Sequence, residues 1–170
     1  MTSDEELSLA AHAKAGDKEA LGLLWDAITP KLYGYLMNVL RDKTPADDCL
    51  QQTWLKAIEN IKRFEPRGVR FSAWLFAIAR NECRQHWRSR THEPIDILRE
   101  HDAPSAPPPH GEKLFIEHIL QKLPEHDREI LQLRYIADLS FQEIARVLTI
   151  SSISARVRVH RAIARARKFI

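Results

Sequence analysis

Apolar residues recur at three- and four-residue intervals along almost the whole chain, and strand-like alternation is scarce. That period is the signature of amphipathic helices packed on one face. Ala20, Leu21, Leu24 and Ile28 follow Asp17 at helical spacing, and Leu32, Tyr35, Leu36 and Val39 continue on one face. Pro30, between the two sets, predicts a boundary or a kink. Ser3 and Glu6 have the spacing of a capping box ahead of the first amphipathic run. Thr44 reads as the N-cap of a further helix with Pro45 at its first position. A long helix is predicted from near Ser72 to Arg90. Beyond it, "KLFIEHILQKL" stops at Pro124, "PEHDREILQLRYI" and "SFQEIARVL" follow, and a last helix starts near Ser151. The pattern predicts an all-α protein of two small helical domains.

The stretch "THEPIDILREHDAPSAPPPHGE" interrupts this pattern. Its five prolines remove backbone donors and block helix, which predicts an extended linker over 91–112. The domains are then 1–90 and 113–170. Charge sharpens the division. Residues 1–90 carry 14 Lys/Arg against 12 Asp/Glu (net +2), 91–112 carry 1 against 5 (net −4), and 113–170 carry 11 against 6 (net +5). Two basic blocks flanking an acidic connector point to a polyanion met at both ends.

The last stretch, Leu139 to Ile170, holds no acid after Glu143 but six arginines and a lysine. Ser140 and Glu143 form a second capping-box pattern, and Phe141, Ile144, Ala145 and Leu148 make a buried stripe. A tight turn, Leu148 to Ser151, leads to a helix capped by Ser151 or Ser152. Two short helices joined in this way, the second basic, predict a helix-turn-helix. On a helical wheel Ala155, Val159, Ala162 and Ala166 fall within about 60° of one another. Ser151, Ser154, Arg158, Arg161 and Arg165 gather on a different face, and Ile153 and Val157 point outward between the two. Arginine suits both phosphates and guanine edges, so this row is read as a duplex-DNA surface. The competing reading is a solvated helix of a structural bundle.

The helix ending at Arg90 offers a second basic surface. Arg80, Arg84 and Arg88 recur every four residues, interleaved with His86 and Trp87. Just upstream, "KRFEPRGVRF" supplies Lys62, Arg63, Arg67 and Arg70. Basic residues mixed with aromatics suit unstacked bases. Trp74 reads as core, while Phe64 and Phe71 fit either role.

Composition bounds the rest. Over 170 residues, 29% charged and 44% hydrophobic is the make-up of a folded chain. Cys49 and Cys83 form no disulfide framework and no C-x-x-C pair, which fits a reduced cytoplasmic setting. No His/Cys spacing matches a metal site, and there is no glycine-rich phosphate loop. Asp47 and Asp48 are adjacent, so they diverge by about 100° on a helix rather than converging on a substrate. A cofactor-free binding protein, not an enzyme, is the expectation.

"DDCLQQTWLKAIENIKRFEPRGVRFSAWLFAIARNECRQHWR" resembles domain 2 of the extracytoplasmic-function sigma factors, and "LPEHDREILQLRYIADLSFQEIARVLTIS" resembles their domain 4. Their order, with a Pro-rich linker between them, also matches, and the resemblance covers nearly the whole chain. It implies a promoter-specificity subunit of bacterial RNA polymerase, in a stress or envelope response. It implies docking on core RNA polymerase through Asp48, Gln51, Gln52 and Leu55. It implies recognition and opening of the −10 element, on the non-template strand, by Lys62, Arg63, Phe64, Arg67, Arg70, Phe71, Arg80, Asn81, Arg84, Trp87 and Arg88. It implies duplex −35 recognition by Ser152, Ser154, Arg156, Arg158, Arg161 and Arg165. The acidic linker would cross the polymerase cleft as a nucleic-acid mimic. An anti-sigma factor, often membrane-bound, is the implied inhibitory partner.

The chain departs from that family at three places. Gln51-Gln52 stands where Gln-Glu is usual, and Leu148-Thr149-Ile150-Ser151 where the turn is usually Leu-Gly-Ile-Ser. The recognition helix runs Ile153-Ser154-Ala155-Arg156-Val157-Arg158 instead of the common Gly-Thr-Val-Lys-Ser-Arg. A free-standing helix-turn-helix repressor and a sigma mimic that titrates an anti-sigma factor are the alternatives. The first leaves the single-strand surface without a use, and the second would have shed its arginines.

Overall fold

The computed structural model describes residues 1–90 and 118–169, and the predicted linker over 91–112 lies outside the described residues. The chain divides into two compact units, Met1–His101 and Asp102–Ile170. Every regular element among the described residues is helical, and no helix among them is long and apolar enough to cross a membrane.

Helices α1 (Ser3–Lys14), α2 (Lys18–Leu40), α3 (Lys43–Asn60) and α4 (Phe71–Arg90) build the first unit. The capping box of α1 sits one residue earlier than the sequence predicts. The Thr2 N–H donates to Glu5 Oε2 at 2.7 Å and the Glu5 N–H to Thr2 Oγ1 at 3.2 Å. Glu6 is thereby released from capping and turns inward, 3% exposed. Its carboxylate accepts the backbone N–H of Ser72, in the first turn of α4, at 2.5 Å. A carboxylate from one helix thus satisfies an orphan donor of another and opposes the positive end of its dipole.

Pro30 does not end α2, which continues from Lys18 to Leu40. Leu24 and Ile28 before it, and Leu32, Tyr35 and Leu36 after it, are all buried. Packing on both sides outweighs the roughly 3 kcal/mol that an interior proline costs a helix. Helix α3 is capped by Asp42, not Thr44, whose own N–H donates to Asp42 Oδ1 at 3.0 Å. Pro45 is therefore the third helical residue rather than the first. Trp54, Phe71, Leu75 and Phe76 are sealed among these helices.

In the second unit a helical turn at 118–122 precedes α5 (Glu125–Tyr135), α6 (Phe141–Leu148) and α7 (Ser152–Ala166). Ile130, Leu133, Leu139, Ile144, Ala155, Val159 and Ala162 form its core. The small residues along α7 let that helix lie close against its neighbours. Ile144 and Ala145 are buried as the stripe on α6 predicts, but Val147 joins them while Phe141 and Leu148 are only half-buried.

Glu6→Ala is expected to destabilise the first unit by about 2 kcal/mol, the cost of a charge-assisted hydrogen bond and an orphaned buried N–H. Thermal unfolding followed by circular dichroism checks this, with a midpoint drop of roughly 10 °C expected. Glu6→Gln, which keeps an acceptor, should fall less. An unchanged midpoint for both would show that the Glu6–Ser72 contact adds nothing.

Candidate nucleic-acid and polymerase interfaces

Helix α3 shows two characters around its axis. Ala46, Cys49, Thr53, Trp54 and Ala57 are buried, while Asp48, Gln51, Gln52 and Leu55 are all exposed. The four exposed residues share one face at helical spacing. Leu55 is 51% exposed and Ile58, three residues on, is 44% exposed. An acid, two amides and two aliphatic side chains in one patch suit a protein partner, with apolar area for affinity and polar groups for register. Behind this face, Lys56 Nζ pairs with Glu82 Oε1 at 2.6 Å and ties α3 to α4. The Cys83 thiol hydrogen-bonds Cys49 and holds its pKa below the ordinary thiol value, against the opposing effect of burial.

After α3, a short 3₁₀ turn (Ile61–Arg63) leads into the loop before α4. Gly68 adopts φ 71°, in the left-handed region that glycine enters without strain. Lys62, Arg63 and Arg67 are exposed and Arg70 is half-buried. Arg67 also pairs with Glu65 at 2.6 Å. Phe64 and Phe71, at the two ends of the loop, do not join this surface, being 3% and 0% exposed. Their rings meet at 5.4 Å, both contact Trp74 (5.3 and 5.4 Å), and Phe71 continues to Trp54 at 6.2 Å. Of the two roles open to these rings, their burial fits the core one. Closing the loop over the α3–α4 junction turns both rings inward, where they anchor the segment that carries the cations. Lys14 Nζ reinforces it by donating to the Phe64 carbonyl at 2.8 Å.

Along α4, Asn81, Arg84 and Arg88 are exposed and Arg80 is half-buried. Trp87 is 42% exposed, its ring 6.0 Å from that of His86. A partly exposed indole beside a row of guanidiniums can stack an unpaired base while the cations hold its backbone.

The helix-turn-helix is present. Ser140 and Glu143 exchange both capping-box bonds, at 2.8 and 3.2 Å. Ser151 is the cap of α7, accepting the Ser154 N–H at 3.1 Å and donating its hydroxyl to Ser154 Oγ at 2.9 Å. Between the helices Thr149 lies at φ 57°, ψ 49°, and the next N–H, of Ile150, closes onto the Ala145 carbonyl at 2.9 Å. So the turn keeps the left-handed geometry that glycine serves best, although a β-branched residue fills it. Thr149→Gly is expected to raise the melting midpoint of the second unit by roughly 4–8 °C, through relief of about 1 kcal/mol of backbone strain. Differential scanning calorimetry decides it, and a clear fall would contradict strain at this position.

Ser152, Arg156, Arg158 and Arg161 are exposed on α7, and Ser154 is half-buried. The Arg156 guanidinium lies 5.3 Å from the centre of the Phe141 ring, and Arg134 lies 5.2 Å from the same ring. Arg165 departs from expectation. Its guanidinium pairs with Asp127 of α5, whose side chain is 4% exposed. Although Arg165 shares a face with Arg158 and Arg161, it is committed to neutralising a buried carboxylate. Pattern alone missed Glu6 and Asp127, since a carboxylate gives no sequence signal of burial when its partner is 38 or 66 residues away.

One unit thus carries a cation-and-indole surface and a mixed polar and apolar exposed face on α3, and the other a helix-turn-helix, a make-up that suits a bipartite DNA-binding protein. Residues 24–93 match the Sigma-70 region 2 family model, and residues 116–168 match Sigma-70, region 4. The chain is 34% identical over 161 residues to the RNA polymerase sigma factor CarQ of Myxococcus xanthus, covering 91% of each. It is 31% identical over 173 residues to the ECF RNA polymerase sigma factor SigD of Mycobacterium tuberculosis, covering 93% of this chain and 80% of that one. In three dimensions it is similar to CnrH, solved in complex with the cytosolic domain of CnrY, with a TM-score of 0.71, 27% identity and 96% of both chains covered. The fold is also that of the sigma factor RpoE of Bartonella quintana, solved with the anti-sigma factor NepR, at a TM-score of 0.66 and 24% identity over 88% of this chain and 95% of that one. The chain belongs to the extracytoplasmic-function group of the sigma-70 family of RNA polymerase sigma factors.

Proposed function

We propose that this sigma factor docks on core RNA polymerase through the α3 face of Asp48, Gln51, Gln52 and Leu55. The loop cations Lys62, Arg63, Arg67 and Arg70, with Arg80, Asn81, Arg84, Trp87 and Arg88 of α4, engage the melted −10 strand. Ser152, Ser154, Arg156, Arg158 and Arg161 of α7 engage the −35 duplex. The observation that carries this reading is the difference in make-up between the two basic surfaces. The first bears an exposed indole suited to unstacked bases, and the second is a capped helix-turn-helix suited to a major groove. Either surface alone binds weakly, and joining them in one chain on polymerase raises the effective concentration of the second contact. Residues 91–112 then act as an acidic linker between domains 1–90 and 113–170. CnrH was solved with a bound protein, the cytosolic domain of CnrY, which supports a protein partner for this chain as well; we read that partner as an anti-sigma factor that covers its polymerase-facing surfaces. The setting that fits is the bacterial cytoplasm, in a stress or envelope response.

Run-off transcription with purified core polymerase on a library of randomised promoters tests the proposal. Transcripts that start downstream of an enriched two-part motif, only when both components are present, are the expected result. Tight duplex binding without polymerase-dependent initiation would replace it with a repressor, and absence of both would leave a mimic that titrates an anti-sigma factor.

A further inference from the structure

Ile153 and Val157 are the most outward-facing side chains of the N-terminal half of α7. The packed side of that helix is fixed by Ala155, Val159 and Ala162, at 0%, 2% and 0% exposure. On a wheel of about 100° per residue, Ile153 and Val157 lie nearly opposite the centre of that packed side. Their exposures, 76% and 41%, agree. One helical turn apart, they form a short aliphatic ridge. Exposed guanidiniums border it on both sides, Arg158 and Arg161 along one edge and Arg156 along the other. The exposed ridge is therefore apolar at its crest and cationic at its flanks.

That profile matches one surface of DNA. In the major groove the walls are phosphates, and the apolar group displayed on the base edges is the C5-methyl of thymine. A recognition helix presents its N-terminal residues to the bases, which is where this ridge stands. Branched aliphatic side chains held out into water gain nothing until they meet an apolar surface. The one-signed charge around them favours a polyanion over a protein patch. We propose that Ile153 and Val157 are specificity determinants that read thymine methyl groups in the upstream promoter element. The inference rests on the reading of α7 as the −35 recognition helix. It assigns to the aliphatic pair a share of the sequence choice that the arginines, as phosphate or guanine ligands, do not make.

The experiment uses the full chain on core polymerase, with the upstream element taken from the randomised-promoter selection. Each thymine of that element is replaced singly by deoxyuridine, which deletes only the methyl group. Wild-type holoenzyme is expected to bind about fourfold more weakly at one or two of these positions, the equivalent of one buried methyl group. Ile153→Ala or Val157→Ala is expected to weaken binding to the thymine duplex by a similar factor and to lose the response to deoxyuridine at the same position. Melting curves of both variants confirm that these exposed substitutions leave the fold intact. An element without thymine, full affinity for every deoxyuridine duplex, or alanine variants that keep the whole penalty would each overturn the inference while leaving the sigma-factor reading in place. Failure of the selection to yield any polymerase-dependent upstream motif would overturn that reading, and this inference with it.

Discussion

Leu55→Asp is expected to abolish promoter-dependent transcription while leaving both units folded and duplex binding by α7 intact. Leu55 is half exposed on α3, so its replacement opens no cavity in the core. Its neighbours on that exposed face are Asp48, Gln51, Gln52 and Ile58, which supply no cation to meet a new carboxylate. Burying an ionised group in an apolar contact without a partner costs several kcal/mol. Protein interfaces concentrate their binding energy in a few such central positions. A loss of at least about a hundredfold in polymerase affinity, some 3 kcal/mol, is therefore expected. Fluorescence anisotropy of the labelled protein titrated with core polymerase measures it, and a thermal melt of the same variant controls for folding. Asp48→Asn, which keeps size and hydrogen bonding, should lose less. Polymerase affinity equal to wild type in Leu55→Asp would show that this face of α3 is not where the enzyme docks.

The helices themselves were legible because each carries its own period of apolar residues, and a period survives without knowledge of any partner. The capping box of Ser140 and Glu143 was legible for the same reason, since donor and acceptor lie three residues apart. Local chemistry misled where two neighbours compete. Thr2 with Glu5 and Ser3 with Glu6 have equal spacing, and the choice between them was decided by Ser72, whose N–H takes Glu6 from a distance. Asp42 displaced Thr44 as a cap in the same way, two residues upstream. Pro30 suggests a boundary because its cost is local, whereas the packing that carries α2 through it is tertiary. Phe64 and Phe71 could not be placed from a basic, aromatic-containing loop, because loop closure decides which rings face in. The shared exposure of Asp48, Gln51, Gln52 and Leu55 is readable by contrast, because the buried residues of α3 fix its exposed face without ambiguity.

Arg158→Ala combined with Arg161→Ala is expected to weaken binding to the −35 duplex about a hundredfold, at roughly 1–3 kcal/mol for each arginine lost. The same pair should lower the slope of log affinity against log salt by about two if both contact phosphates, since each neutralised phosphate releases nearly one counterion. Arg165→Ala, on the same wheel face, is expected to behave differently. It leaves the buried Asp127 carboxylate without its guanidinium. Removing one partner of a fully buried pair costs about 3–5 kcal/mol, but Arg165 is itself 45% exposed. Solvent screening brings the expected loss to about 2 kcal/mol of stability in the second unit. The folded fraction should then bind DNA with an unchanged salt slope. Three arginines that look alike on a wheel are thus separated by two readouts, a salt titration of duplex affinity and a melting curve. A reduced salt slope in Arg165→Ala would mean that its guanidinium reaches the phosphates despite Asp127. An unchanged slope with a lowered midpoint would mean that the basic row of α7 ends at Arg161, and that the helix spends its last turn holding itself onto α5.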